Sequence, residues 1–285
     1  NGFEVAPLVD CTRCRIEGNG GHGIDASGGA AKVVLDRATI DDNSWNGVEA
    51  IGDVHIESST ITYNDIAVRS TGDVTVTNST ITYNGAGVVV EADPVVVLGE
   101  PREDDPPEIR LLHATVVANE DVNVSAPVIR PDRTVLGSNV GVNCVGEVES
   151  GGWTFSDDGS CSLDGEGDIE DPFAVPGLAD LADNGGPTLT RYPLDDSPLV
   201  GAVPNDRCGV PSLDQRGFSR PPAPGAPCDI GAVQSGHPQC ASTFVDVGAD
   251  HPFCIEIAWL ADEEGAKGWP DGTYRPGAAA YRQAL

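Results

Sequence analysis

Gly21-His22-Gly23 and the pair Asp41-Asp42 are residues whose types suit acid–base work on a sugar. Glycoside hydrolysis uses two carboxyl groups, one to protonate the leaving oxygen and one to activate water or attack the ring. His22, Asp41 and Asp42 are therefore the catalytic candidates if the chain is an enzyme. A lyase would instead need a base and cations to neutralise a uronate carboxylate, for which the repeats offer only scattered Lys32, Arg37, Arg69 and Arg110. Cys11-Thr-Arg-Cys14 has a spacing that serves redox exchange or half a zinc site. No second such pair and no histidine pair at ligand spacing follows, which favours a structural disulfide and leaves no metal site to name. The stretches Glu103–Asp105, Asp157-Asp158 and Asp164–Asp171 offer hard oxygen ligands to calcium. None has the spacing of a calcium loop, so solvated acidic surface is the favoured reading. Asn78-Ser-Thr80 and Asn123-Val-Ser125 match the glycosylation pattern, which has meaning only in a eukaryotic secretory pathway.

The chain that must position these groups has 285 residues, 35 of them Gly and 22 Pro, with aromatics at 5%. The length allows one or two domains, and the composition points to a repetitive core of small and β-branched side chains. A net charge of −29 repels phosphate backbones and anionic lipid, so nucleic acid is excluded as a partner. No apolar run is long enough to cross a bilayer, so membrane insertion is not expected. Eight cysteines in an acidic chain indicate an oxidising, extracellular compartment, although they allow about a hundred pairings that sequence leaves open. No leader is evident, the chain opens with Asn and it contains no Met, so it reads as an internal or processed piece of a longer precursor.

Self-comparison gives the organisation. Residues 52–71 and 72–91 align without gaps at a period of 20 with ten identities. The frame extends through a recurring asparagine, Asn19, Asn43, Asn64, Asn84 and Asn119, the last interval being lengthened by an acidic, Pro-rich insertion at 92–108. Alternation at Val54/Ile56, Val74/Val76 and Ile109/Leu111, then an isolated apolar residue after Thr at Ile61, Ile81 and Val116, predicts short half-buried strands. Helical spacing is absent. A circuit of 20 to 24 residues is one coil of a parallel β-solenoid, in which strands of successive coils lie about 4.8 Å apart. The repeated Asn has an amide able to bond to the same residue one coil away, so it is read as a structural ladder.

With these repeats the chain resembles the right-handed parallel β-helix superfamily, which includes pectate lyases, polygalacturonases and adhesins. The expected fold is all-β, with coils over 1–136. Polygalacturonases place their Asp pair before the Gly-His-Gly, the reverse of the order here. After Thr134 the composition turns to Gly, Asp and Pro. The phrases LADNGGPTLTRYPLDDSPLVGA and LDQRGFSRPPAPGAPCDIGAV make residues 137–234 similar to the choice-of-anchor Q region of bacterial surface proteins. That segment is expected as a loop-rich, disulfide-bonded cap over the open end of the solenoid, with Cys144–Cys161 and Cys208–Cys228 the favoured pairs.

Residues 235–242 read as a linker, and 243–285 as a short helical segment resembling one S-layer homology repeat. Phe244, Asp246, Val247, Trp259, Asp271–Pro276 and Arg282–Ala284 carry that resemblance. It implies attachment to a cell-wall polysaccharide through Asp246, Trp259, Arg275 and Arg282, an Arg being well suited to acidic sugar substituents. Cys240 and Cys254 flank the start of this segment and could pair across it.

The sequence-level expectation is a secreted, wall-associated bacterial scaffold, monomeric, binding cell-wall polysaccharide, another extracellular glycan or a protein partner without catalysis. Calcium is the one cofactor considered. The alternative is a polysaccharide lyase or glycoside hydrolase acting on acidic polysaccharide at the face of the coils.

Overall fold

A computed structural model describes residues 8–28, 32–91, 106–236, 244–247, 257, 260–261 and 267–275. The first coil consists of β1 (Leu8–Thr12), β2 (Arg15–Glu17) and β3 (Ile24–Ala26), and the second of β4 (Lys32–Asp36), β5 (Thr39–Asp41) and β6 (Val48–Ala50). The third holds β7 (Val54–Glu57), β8 (Thr60–Thr62) and β9 (Ile66–Ser70); the fourth holds β10 (Val74–Thr77), β11 (Thr80–Thr82) and β12 (Ala86–Val90). Then come β13 (Glu108–Leu112), β14 (Thr115–Val117), β15 (Val122–Asp132), β16 (Val135–Gly137), β17 (Val142–Val148), β18 (Phe155–Ser156) and β19 (Ile169–Glu170). Every pairing among these strands is parallel and joins one coil to the next. The result is an all-β, right-handed solenoid of about seven turns.

Three faces run its length. The first stacks β1, β4, β7, β10, β13 and the end of β15; the second stacks β2, β5, β8, β11, β14, β16, β18 and β19. The third stacks β3, β6, β9, β12, the start of β15, and β17. The 11-residue β15 turns the corner from third face to first without a break. Val54 lies directly beneath Val74, in the row Val33, Val54, Val74, Ile109, Ile129. With the rows Leu35–Ile56–Val76–Leu111 and Ile40–Ile61–Ile81–Val116–Leu136, these side chains form the buried core. A single coil has no second layer to bury its apolar row against, so each is stabilised only by its neighbours. Across the insertion, Val74 still pairs with Ile109; β13 begins at Glu108, one residue inside the expected insertion.

Both tight corners force a side-chain-bearing residue into the left-handed region in coil after coil. At the corner between first and second faces these are Arg37, Ser58, Asn78, His113, Arg133 and Trp153; between second and third they are Asp42, Tyr63, Tyr83, Ala118 and Ser138. Such a conformation costs about 1–2 kcal/mol per residue, and hydrogen bonding between coils offsets it. At the first corner, Ala38 N donates to Ser59 Oγ and Ser59 N to Ser79 Oγ, each at 3.0 Å, and Ala114 N donates to Thr134 Oγ1 at 3.3 Å.

The second corner carries the asparagine ladder. Asn19 Nδ2 donates to Asn43 Oδ1 (2.8 Å), Asn43 to Asn64 (2.9 Å), Asn64 to Asn84 (3.1 Å) and Asn84 to Asn119 (3.1 Å). The backbone N–H groups of Asn19, Asn43, Asn64 and Asn84 donate to the same Oδ1 atoms, which fixes the orientation of each amide. Beyond Asn119 the line moves sideways to Asn123 (2.7 Å) and Asn143 (2.8 Å), and it ends on Asp157 Oδ1 (2.9 Å). Asn123 and Asn143 continue the row occupied by Gly23, Gly47, Ala67 and Gly87 in earlier coils.

The coils continue past residue 136, since β16 ends at Gly137 and β17 adds a further layer to the third face. Cys161, bonded to Cys144, and Leu163 pack on the end of the core, so closure of the stack falls to the loop around them. Residues 176–236 do something other than the expected end cap. They run back along the outside of the second face as a strap that begins with the antiparallel pair β20 (Leu178–Ala182) and β21 (Thr190–Pro193) and carries the Cys208–Cys228 disulfide. Gln215 reaches Thr60, Thr80, Thr188 and the Ser59 carbonyl, and Thr188 Oγ1 donates to Ser58 O. These polar contacts satisfy backbone and hydroxyl groups of a sheet face that an apolar end plug would leave bare.

His113 is buried where the strap meets the coils. Its Nδ1 accepts from Arg220 (2.8 Å) and its Nε2 donates to Cys208 O (3.2 Å), an arrangement that requires neutral imidazole. Burial and the guanidinium groups of Arg220 and Arg133 hold its pKa well below the usual value, while burial lowers Arg220 to about 10 against the pull of Asp214 and Asp229. The unfolded chain therefore binds a proton that the folded chain refuses once the pH falls below the ordinary imidazole range. Stability is complete above about pH 6.5 and is expected to fall toward pH 5 by up to about 1.4 kcal/mol per pH unit from this group. Urea midpoints measured across that range should flatten in His113→Gln; an unchanged slope would remove His113 as the cause.

Candidate functional site

The structure does not gather the three catalytic candidates. Asp41 ends β5 on the second face and Asp42 occupies the left-handed corner after it, whereas His22 lies beyond that corner, one coil earlier, just before β3. Burial raises the Asp41 pKa against the opposing Arg15 guanidinium, with Asp42 adding to the rise. Its Oδ1 is enclosed without a hydrogen-bond partner among the described residues. Among those residues no hydrogen bond, ion pair or ring contact joins His22 to either aspartate; His22 Nδ1 accepts from Asn46 N at 3.3 Å.

What the corner does gather is aromatic. Trp45, on the loop leading to β6, meets His22 edge-on with ring centres 5.0 Å apart and remains 57% exposed. Tyr63 and Tyr83 occupy the left-handed position of consecutive coils, so their rings stack at 5.4 Å and 20°, and Tyr63 is 55% exposed. Arg191 of the strap lies over Tyr83, 5.2 Å from its centre, while the Tyr83 hydroxyl reaches Asp180 Oδ1 at 3.4 Å. The ladder beneath fixes the spacing of these rings. In the same coils Asp25, Asp42 and Asp65 are exposed, and Glu49 accepts from Asn46 Nδ2 at 2.6 Å. The half-exposed rings of Trp45 and Tyr63 and the nearby acidic residues of these coils suit apolar contact with sugar rings and hydrogen bonding to their hydroxyls.

The motif read as a possible redox pair is a disulfide, Cys11–Cys14. The acidic stretches considered for calcium cap loops: Asp158 accepts from Asn143 and Ser160, Asp168 from Thr154 and Gly165, and Glu170 from Ser162 and Leu163. Glu103–Asp105 lie outside the described residues. Among the described residues, no group of three His, Cys, Asp or Glu is arranged to hold a metal ion. The two glycosylation patterns fall on buried asparagines, Asn78 donating to Leu213 O and Asn123 standing in the ladder.

In the C-terminal segment, Phe244, Val247 and Ile257 form a small apolar cluster with Ala261 and Tyr274. Asp246 accepts from the backbone N–H groups of Tyr274 and Arg275, both at 2.7 Å, so its two oxygens hold the loop. Arg275 donates to Thr273 and Asp271 and lies over Trp269 at 4.4 Å. Asp246 and Arg275, named for glycan contact, are thus engaged within the segment itself. Trp259, Arg282, Cys240 and Cys254 lie outside the described residues.

Trp45, Tyr63 and Tyr83 are candidate residues that sequence reasoning did not single out. Tyr63 and Tyr83 were visible as the residue preceding each repeated Asn, but only the left-handed corner turns that position outward.

The architecture is that of a right-handed parallel β-helix. The family model described as "right handed beta helix region" matches residues 7–99, the first four coils, and the geometry carries the same winding three coils further. No curated protein and no solved structure matches the chain.

Proposed function

We propose that this chain is a secreted, cell-surface scaffold that binds carbohydrate along the Trp45–Tyr63–Tyr83 corner without transforming it. The observation that carries this reading is the pair of half-exposed rings, Trp45 and Tyr63, held on a hydrogen-bonded ladder. Exposed aromatic rings offer apolar surface for contact, and a rigid backbone lowers the entropic cost of binding. Three disulfides are compatible with life outside the cell. The segment from Phe244 to Arg275 is read as the wall-facing end, on its similarity to an S-layer homology repeat. An enzyme using this face would need an acid and a base converging on one bond, and His22, Asp41 and Asp42 do not converge.

Glycan-array or affinity-electrophoresis measurements with the whole chain test the reading. Trp45→Ala should weaken retention about tenfold while leaving the urea midpoint within about 0.5 kcal/mol of the parent. Release of unsaturated products or reducing ends from pectate or alginate, abolished by Asp42→Asn, would establish the enzyme instead. Binding unchanged by Trp45→Ala would move the site elsewhere.

A further inference from the structure

The charge around the corner points to a particular kind of sugar, an inference that rests on the carbohydrate-binding reading above. On the third face, Asp25, Glu49 and Arg69 stand in one outward row of consecutive coils. Arg69 is already spent: it bonds Glu91 at 2.7 Å and approaches Glu49 at 3.4 Å. Arg15 is likewise occupied by Glu17 and Asp41, whereas Arg191 is buried over Tyr83 with its Nε on the Ala179 carbonyl and its Nη1 without a hydrogen-bond partner among the described residues. The carboxylates outnumber these cations. Asp42 sits in the same corner column as Tyr63 and Tyr83, Asp65 lies two residues after Tyr63 with its N–H on the Trp45 carbonyl, and Asp180 meets the Tyr83 hydroxyl. Acids thus outnumber cations around the corner, and the chain as a whole carries −29.

A uronate or phosphorylated glycan would meet carboxylates in excess of guanidinium groups, the one over Tyr83 being buried beneath the strap. A sugar bearing an ammonium group would meet carboxylates and the half-exposed rings of Trp45 and Tyr63, which attract cations. We propose that the glycan taken at this corner is a chain of amino sugars with free ammonium groups.

The whole chain should be titrated by calorimetry with a glucosamine oligomer, its fully N-acetylated counterpart, a neutral glucose oligomer and a galacturonate oligomer, at low and raised salt. The glucosamine oligomer should bind at least about tenfold tighter than the other three, with the advantage shrinking as salt screens the carboxylates. Replacing Trp45 and Tyr63 together by alanine should remove that binding while leaving oligolysine, a probe of bulk charge, unaffected. If the acetylated or neutral oligomer binds as well, or galacturonate better, the amino-sugar inference is overturned and carbohydrate binding at the corner survives. If no oligomer binds, or binding ignores the alanine pair, both readings fall.

Discussion

Replacing Asp214 by alanine is expected to cost about 3–5 kcal/mol, the range for removing one partner of a buried ion pair, and to release the strap from the coils. Asp214 and Arg216 are fully buried and bonded at 2.8 Å. Asp214 also accepts from the backbone N–H groups of Arg216, Phe218 and Gln234, while Arg216 donates to the Asn184 and Gln234 carbonyls between the rings of Tyr192 and Phe218. Without the carboxylate, the guanidinium is left charged in a site closed to water and three N–H groups lose their acceptor. Neighbouring Gln215 shares this turn, so its bonds to Thr60 and Thr80 should loosen as well. Limited proteolysis ought to cut first within 176–236, at urea concentrations where the coils remain folded. Asp214→Asn, which keeps some acceptors, should lose less. A change under about 0.5 kcal/mol for Asp214→Ala would mean that the pair is not what secures the strap.

Val76→Asp is expected to abolish folding of the central coils, whereas Thr75→Asp, one residue away, should be nearly silent. Val76 is wholly buried between Ile56 and Leu111, and a carboxylate there has no partner and no water. Thr75 points outward between His55 and Arg110, where an added carboxylate meets a cation. Because each coil relies on the layers above and below, the loss should spread beyond the fourth coil. Circular dichroism and urea unfolding would show this as a collapse of the strand signal in one variant and a shift within about 0.5 kcal/mol in the other. Equal effects would contradict the inward and outward assignment of the two positions.

The coils could be read from sequence because their cause is local and repeated. Val54, Ile56, Val74 and Val76 alternate with outward residues, and Asn64 and Asn84 recur at the coil period. The hydroxyl ladder was equally open to view, since Ser59, Ser79 and Thr134 each directly precede the apolar stretch of the second face. The strap was not. Its docking depends on single polar side chains, such as Gln215 with Thr60, that lie 155 residues apart and follow no period. The sideways step of the ladder from Asn119 to Asn123 was hidden for a related reason. Asn139, 20 residues beyond Asn119, continues the spacing but bonds to the Asp121 and Val142 carbonyls instead. His22 and the Asp pair could be named from residue type alone, whereas the outward turn of Tyr63 could not, because residue type was legible and direction of projection was not.

The line of asparagines is a wire of amide dipoles all aligned in one sense, from Asn19 to Asn143. Its two extremities are consequently unlike. At one, Asn19 presents a carbonyl oxygen, to which only a donor can be added; at the other, the exposed positive pole is neutralised by Asp157, much as an acidic residue settles the amino end of an α-helix. A column built this way can lengthen at one extremity by repeating the same amide, while the carboxylate acts as a full stop at the other.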